Sequence, residues 1–219
     1  MIISTPEALD MAFKGMVIGI ASSAPLGPAG VLTVQRTLNK GRAYGLATGA
    51  GVAMGDLFYA IVASAGLGLV LDFLNRPDMS YWLQLVGAAL LFGFGVYVYR
   101  SHPEKRVHAP SNKRGNLMQN AATGFLITLG NPMITFLFLA LFARFRFVCP
   151  GHPVEMMVGV MALLCGSMLW WCVLTYAITR VGNKFRDGGL LYLSRIIGLV
   201  VMGVSLFGFY FTLRGKTLF

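Results

Sequence analysis

Apolar residues in this chain gather into six long blocks separated by short polar segments. Gly15–Val34 carries no charge, Tyr44–Leu71 carries only Asp56, and Trp82–Tyr99 carries none. Ala121–Ala143, Met156–Thr179 and Ile196–Leu213 complete the series. A helix needs about 20 apolar residues to cross the hydrocarbon of a bilayer, and each block is close to that length. None alternates with period two as barrel strands do, so the pattern predicts transmembrane helices. Proline interrupts the first block at Pro25-Leu26-Gly27-Pro28 and the fourth at Asn131-Pro132. Tyr81, Trp82, Tyr97, Tyr99, Tyr192 and Tyr210 sit near block ends, where amphipathic rings favour the membrane–water boundary.

The polar segments carry the orientation. The segments after blocks one, three and five hold Arg36, Lys40, Arg42, Arg100, Lys105, Arg106, Lys113, Arg114, Arg180, Lys184, Arg186 and Arg195. The other side holds Lys14, Arg76, Arg144, Arg146, Arg214 and Lys216, half as many. Excess Lys and Arg mark the cytoplasmic side, which places both termini outside. The longest connection, 101–119, with Pro103 and Pro110, reads as a cytoplasmic linker between halves 1–100 and 120–219 of one transmembrane domain covering 1–219. Each half holds three spans, and an odd number inserts the second half upside down. The expected fold is therefore an all-α membrane protein of six transmembrane helices. It is a 3+3 inverted repeat in which helices one and four are broken at proline.

Composition agrees. Of 219 residues, 56% are hydrophobic and 12% charged, against roughly 25% charged in soluble domains. Such a chain must present much of its surface to membrane lipid, and no length remains for a soluble domain. The formal charge of +10 does not imply nucleic acid, because the basic residues lie between apolar spans and not along one face. Ala21-Ser22-Ser23-Ala24 imitates a signal-peptide cleavage site, but Glu7 and Asp10 precede it with no early Lys or Arg, so the first block reads as an uncleaved span. Cys149, Cys165 and Cys172 form no Cys-x-x-Cys pair, and His102, His108 and His152 fall between blocks. Cys149 with His152 makes a weak metal pair at most. No nucleophile elbow, phosphate loop or dinucleotide fingerprint is present, so no enzyme is expected.

Two features carry candidate chemistry. Proline removes a backbone donor and frees the carbonyl four residues earlier. Pro25, Pro28 and Pro132 would thus free the carbonyls of Ala21, Ala24 and Thr128, which need protein or a hydrated cavity. A half-helix starting at Pro28 would offer N–H groups at Gly30 and Val31 to a carboxylate, while freed carbonyls suit an ammonium. Gly27 permits close backbone approach; a plain kink is the alternative. Asp56 is the one acid placed well inside a span, at a cost of about 2.5–3.5 kcal/mol if charged at the bilayer centre. It is a proton carrier, a counter-ion for an ammonium, or a structural carboxyl bonded to neighbouring helices. Tyr59, three residues on, shares its helix face and is placed to donate to it. Gly15/Gly19, Gly45/Gly49 and Gly51/Gly55 form small-residue ridges for close helix packing, or for a dimer seam.

Ala24-Pro-Leu-Gly-Pro28, Gln35-Arg-Thr-Leu-Asn-Lys-Gly-Arg42, Gly45 and Gly51-Val-Ala-Met-Gly-Asp56 together resemble the lysine-exporter (LysE/RhtB) family of amino-acid exporters. Gly130-Asn-Pro132 resembles that family's Asn-Pro motif, and Pro-Leu-Gly-Pro stands where Pro-Gly-Pro is the commoner form. The resemblance implies a secondary exporter of amino acids or similar small zwitterions in a bacterial inner membrane. It would use a proton or ion gradient with no bound cofactor, acting as a homodimer or monomer. Its site would gather Pro25, Gly27, Pro28, Asp56, Asn131 and Pro132. A metal-ion efflux protein or channel on the same fold is the alternative and would call for more thiolate, carboxylate or imidazole ligands. A membrane enzyme or assembly factor would need a reactive constellation.

Overall fold

The computed structural model describes residues 5–74, 77–101, 115–145, 147, 153–184 and 189–214. Eight helices account for nearly all of them, with no strand among the described residues. They are α1 (Thr5–Ser23), α2 (Pro28–Lys40), α3 (Arg42–Leu74), α4 (Pro77–Arg100), α5 (Leu117–Leu129), α6 (Pro132–Phe145), α7 (Pro153–Lys184) and α8 (Leu190–Leu213). Most of the linker, and with it Cys149 and His152, lies outside the described residues.

Among the described residues three helices are long and apolar enough to cross a bilayer: Arg42–Ser64, Val154–Gly182 and Leu191–Leu213. Pro6–Ser23 and Pro28–Lys40 pass as a pair bent by 75°, and Gln84–Arg100 is apolar but shorter. The chain is a multi-pass membrane protein whose polarity is arranged against water. Val173, Leu199, Val200, Val204 and Phe207 are exposed, whereas Thr33, Thr48, Thr128, Ser167, Thr175 and Ser194 are buried. Lipid accepts the apolar exterior, and the threonine hydroxyls turned inward find carbonyls of their own helices. Thr33 donates to Ala29 O at 2.9 Å, Thr128 to Gly124 O at 3.0 Å and Thr175 to Trp171 O at 2.8 Å.

The ends of the short helices follow from local chemistry. α1 stops at Ser23, and α2 restarts with Pro28 in its first turn behind an extended Gly27, where a missing N–H costs nothing. α2 ends at Gly41, whose φ of 98° lies in the left-handed region that glycine tolerates best. α5 opens with a capping box: Gln119 N donates to Asn116 Oδ1 at 2.8 Å and Asn116 N to Gln119 Oε1 at 3.1 Å.

Small residues decide which helices meet. A side chain at Gly15 or Gly19 would run into the backbone of Gly159 or Leu163, so α1 lies directly on α7. On the other side Gly51 of α3 meets the backbone of Ala121, and Gly55 meets the side chain of Thr128, both on α5. In each pair the contacts advance together along both chains, so the partners run parallel. α4 packs on α8 through Gly95 and Gly198, reinforced by a bond from the Ser205 hydroxyl to Ala88 O. Gly45 faces Thr37 and Gly49 faces Trp171, so all three glycine ridges point into the bundle.

Candidate functional site

The interruption between α1 and α2 is one wall of a cavity of about 400 Å³. Pro25, Gly27 and Pro28 line it, with Asp56 from α3 and Asn131 from the α5–α6 junction. Residues far apart in sequence thus share one wall space. Trp171 of α7 and Phe94, Tyr97 and Arg100 of α4 complete the enclosure. Pro132 opens α6, but its side chain is outside the described residues.

Asp56 is 1% exposed. Its Oδ2 accepts from Ser23 Oγ of α1 at 2.9 Å and from Ser167 Oγ of α7 at 3.1 Å. The two serine oxygens lie 2.6 Å from each other. Both bonds fall on one carboxylate oxygen; no hydrogen bond to Oδ1 is made among the described residues, and the Ser22 hydroxyl, which donates to Gly19 O at 3.1 Å, stands near the carboxyl as a third polar neighbour on the cavity wall. A buried carboxyl with one satisfied and one open oxygen can hold a proton or an ammonium without dismantling its support.

Several expectations change on contact with the structure. Tyr59 does not donate to Asp56. Its hydroxyl goes to Leu129 O at 2.7 Å, and its ring stacks on Phe138. The reason is the end of α5, whose last carbonyls have no partner in their own helix and take a donor from α3. Thr128 O, expected to be open, accepts from Asn131 N at 3.1 Å, and Val31 N closes on Gly27 O at 2.9 Å. Arg36, read as a loop charge, lies within α2 and is 8% exposed. Its Nη1 donates to Thr48 Oγ1 and Asn120 O, both at 2.9 Å, so it ties α2 to α3 and α5. The sequence marks neither Ser167 nor the serines of Ala21-Ser22-Ser23-Ala24 as site residues, because small hydroxyl residues in apolar spans carry no distinguishing signal. No group of three or more His, Cys, Asp or Glu side chains assembles among the described residues.

A bent helix pair and a buried carboxyl around a shared cavity, within apolar helices, belong to the class of membrane transport proteins. Residues 20–214 match the LysE type translocator family, and the chain belongs to that family. It is 26% identical over 205 residues to a Bacillus subtilis protein named "Putative amino acid efflux protein YcgF", covering 91% of this chain and 94% of that one. It is 25% identical over 167 residues to an uncharacterized membrane protein of Pseudomonas aeruginosa, covering 73% and 76% respectively. No solved structure is significantly similar to it.

Proposed function

We propose that the chain is a proton-coupled secondary exporter of amino acids or similar small zwitterions, working by alternating access in a bacterial cytoplasmic membrane. The observation that carries this reading is Asp56, buried on the cavity wall with one carboxylate oxygen held by Ser23 and Ser167 and the other open. The open oxygen takes either a proton or the substrate ammonium, and the two compete for one place. That competition couples opposite flows of proton and cargo. The start of α2 beside it, from Pro28 to Gly30, carries the positive end of a helix dipole suited to the cargo carboxylate. The name of the Bacillus subtilis relative supports amino acids as the cargo class.

In this reading the chain crosses the membrane six times as two inverted triplets, with α1–α2 and α5–α6 as the broken spans and both termini outside. Packing supports the repeat: α1 against α7 is the counterpart of α5 against α3 when the halves are exchanged, and α4 against α8 maps onto itself. The basic start of α3 lies with the basic end of α7, where Arg42 and Arg180 cover Tyr176, and the basic start of α8 lies with the end of α4, where Arg195 covers Tyr99; the six-span reading puts all four at one end. That end is the cytoplasmic one.

The test is transport by Asp56→Asn in proteoliposomes. The amide keeps the shape but cannot carry a proton. Gradient-driven export should fall at least tenfold; exchange of labelled for unlabelled substrate should weaken as well, since the amide gives the ammonium no counter-charge, and what remains should no longer respond to a pH gradient. Export driven by a pH gradient at the wild-type rate would remove Asp56 from the coupling.

A further inference from the structure

We propose that the cargo is a neutral amino acid with an apolar side chain, and that Arg100 is the residue that excludes cationic ones; this rests on the amino-acid export reading above. The inference comes from the charges and surfaces of the cavity wall. Among the described residues that line it, Asp56 is the only acid and Arg100 the only base. Asp56 lies deep, whereas Arg100 stands at the exposed end of α4 with Tyr97 and Ser101 beside it. No ion pair to Arg100 occurs among the described residues.

An amino acid brings one ammonium and one carboxylate before its side chain is counted. The ammonium uses the open oxygen of Asp56. A lysine- or arginine-like side chain brings a second cation, for which the wall holds no second carboxylate. A charge buried without a partner is strongly disfavoured, and Arg100 stands on the same wall, where a second cation meets like charge. An acidic side chain fares no better, because beside Ser22, Ser23 and Asn131 the wall offers it no cation at depth and is otherwise lined by Leu26, Val31, Val52, Ile134, Leu137 and Trp171. Those side chains reward an aliphatic or aromatic group with buried apolar area. Volume does not choose among amino acids, since about 400 Å³ admits any of them. Charge and polarity do.

The experiment is counterflow in proteoliposomes loaded in turn with leucine, methionine, phenylalanine, lysine and glutamate, using wild type, Arg100→Gln and Arg100→Lys. Leucine, methionine or phenylalanine should exchange about tenfold or more faster than lysine and glutamate, as a like-charge or unpaired-charge penalty demands. Arg100→Gln should raise the lysine-to-leucine ratio about tenfold, and Arg100→Lys should leave the ratio near wild type. Wild-type exchange of lysine or glutamate as fast as leucine overturns the proposal while leaving amino-acid export standing. An unchanged ratio in Arg100→Gln removes Arg100 from the selection. If correctly folded protein exchanges no amino acid at all, the export reading itself falls.

Discussion

At the level of single residues, the chemistry concentrates on one carboxylate oxygen shared by two hydroxyls that also touch each other. Two hydroxyl protons serve three close contacts, so a proton given to the carboxylate is not available between the serines, and the two bonds are coupled. Ser23→Ala and Ser167→Ala should each lower stability by about 1 kcal/mol. The double variant should lose less than the sum by about 0.5 kcal/mol or more, read as unfolding in detergent by denaturant titration. Strictly additive losses would mean that the hydroxyls act independently. Asp56 itself was legible in the sequence, since no other acid sits inside an apolar block. Its partners were not. Ser23 is 33 residues away and Ser167 is 111 away, and only the folded bundle brings them together. The same holds for Arg36, whose burial follows from acceptors on α3 and α5. Arg100 was read only as an orientation charge, because a sequence does not reveal that a helix end borders a cavity.

At the level of helices, small residues dictate contact. α1 approaches α7 closely enough that Gly19 faces the backbone of Leu163 and Ser167 with no room for a side chain. Gly19→Leu should therefore force the two helices apart, at about 1–3 kcal/mol or more, and lower the melting temperature and the yield of monodisperse protein. Gly203→Leu on α8 is the matched control, since nothing lies within 4 Å of a side chain there, and it should behave as wild type. Equal damage by both would refute the close contact. The glycine ridges and the proline positions were readable from the chain, because spacing and missing donors are local properties. The choice of partner was not readable: Gly15-x-x-x-Gly19 fits any smooth helix, and its union with α7 depends on Gly159 and on the serine at 167. Tyr59 went astray for a related reason, since the unpaired carbonyl at the end of α5 outcompetes a neighbour on the same helix.

Across the whole molecule, the cavity and its closure lie at different heights. Toward the end of α4 the wall includes the exposed Tyr97 and Arg100. Away from it, Phe138, Phe142 and Phe147 stack edge to face and tilted among Met11, Ile18 and Leu163, all buried. Cysteines placed at Gly27 and Asn131 should then react with an impermeant maleimide supplied from the cytoplasmic side and be shielded by cargo, while a cysteine at Phe138 stays unlabelled. Protection of 27 and 131 from both sides would deny the hydrated cavity. The placement of Ser23 has one more effect. α1 is meshed with α7, and α3 with α5, so the molecule contains two stiff couples. Asp56 belongs to one couple, and both its serines belong to the other. The carboxyl is therefore a clasp across a joint between the couples, and a slide that parts Asp56 from Ser23 and Ser167 must first undo it.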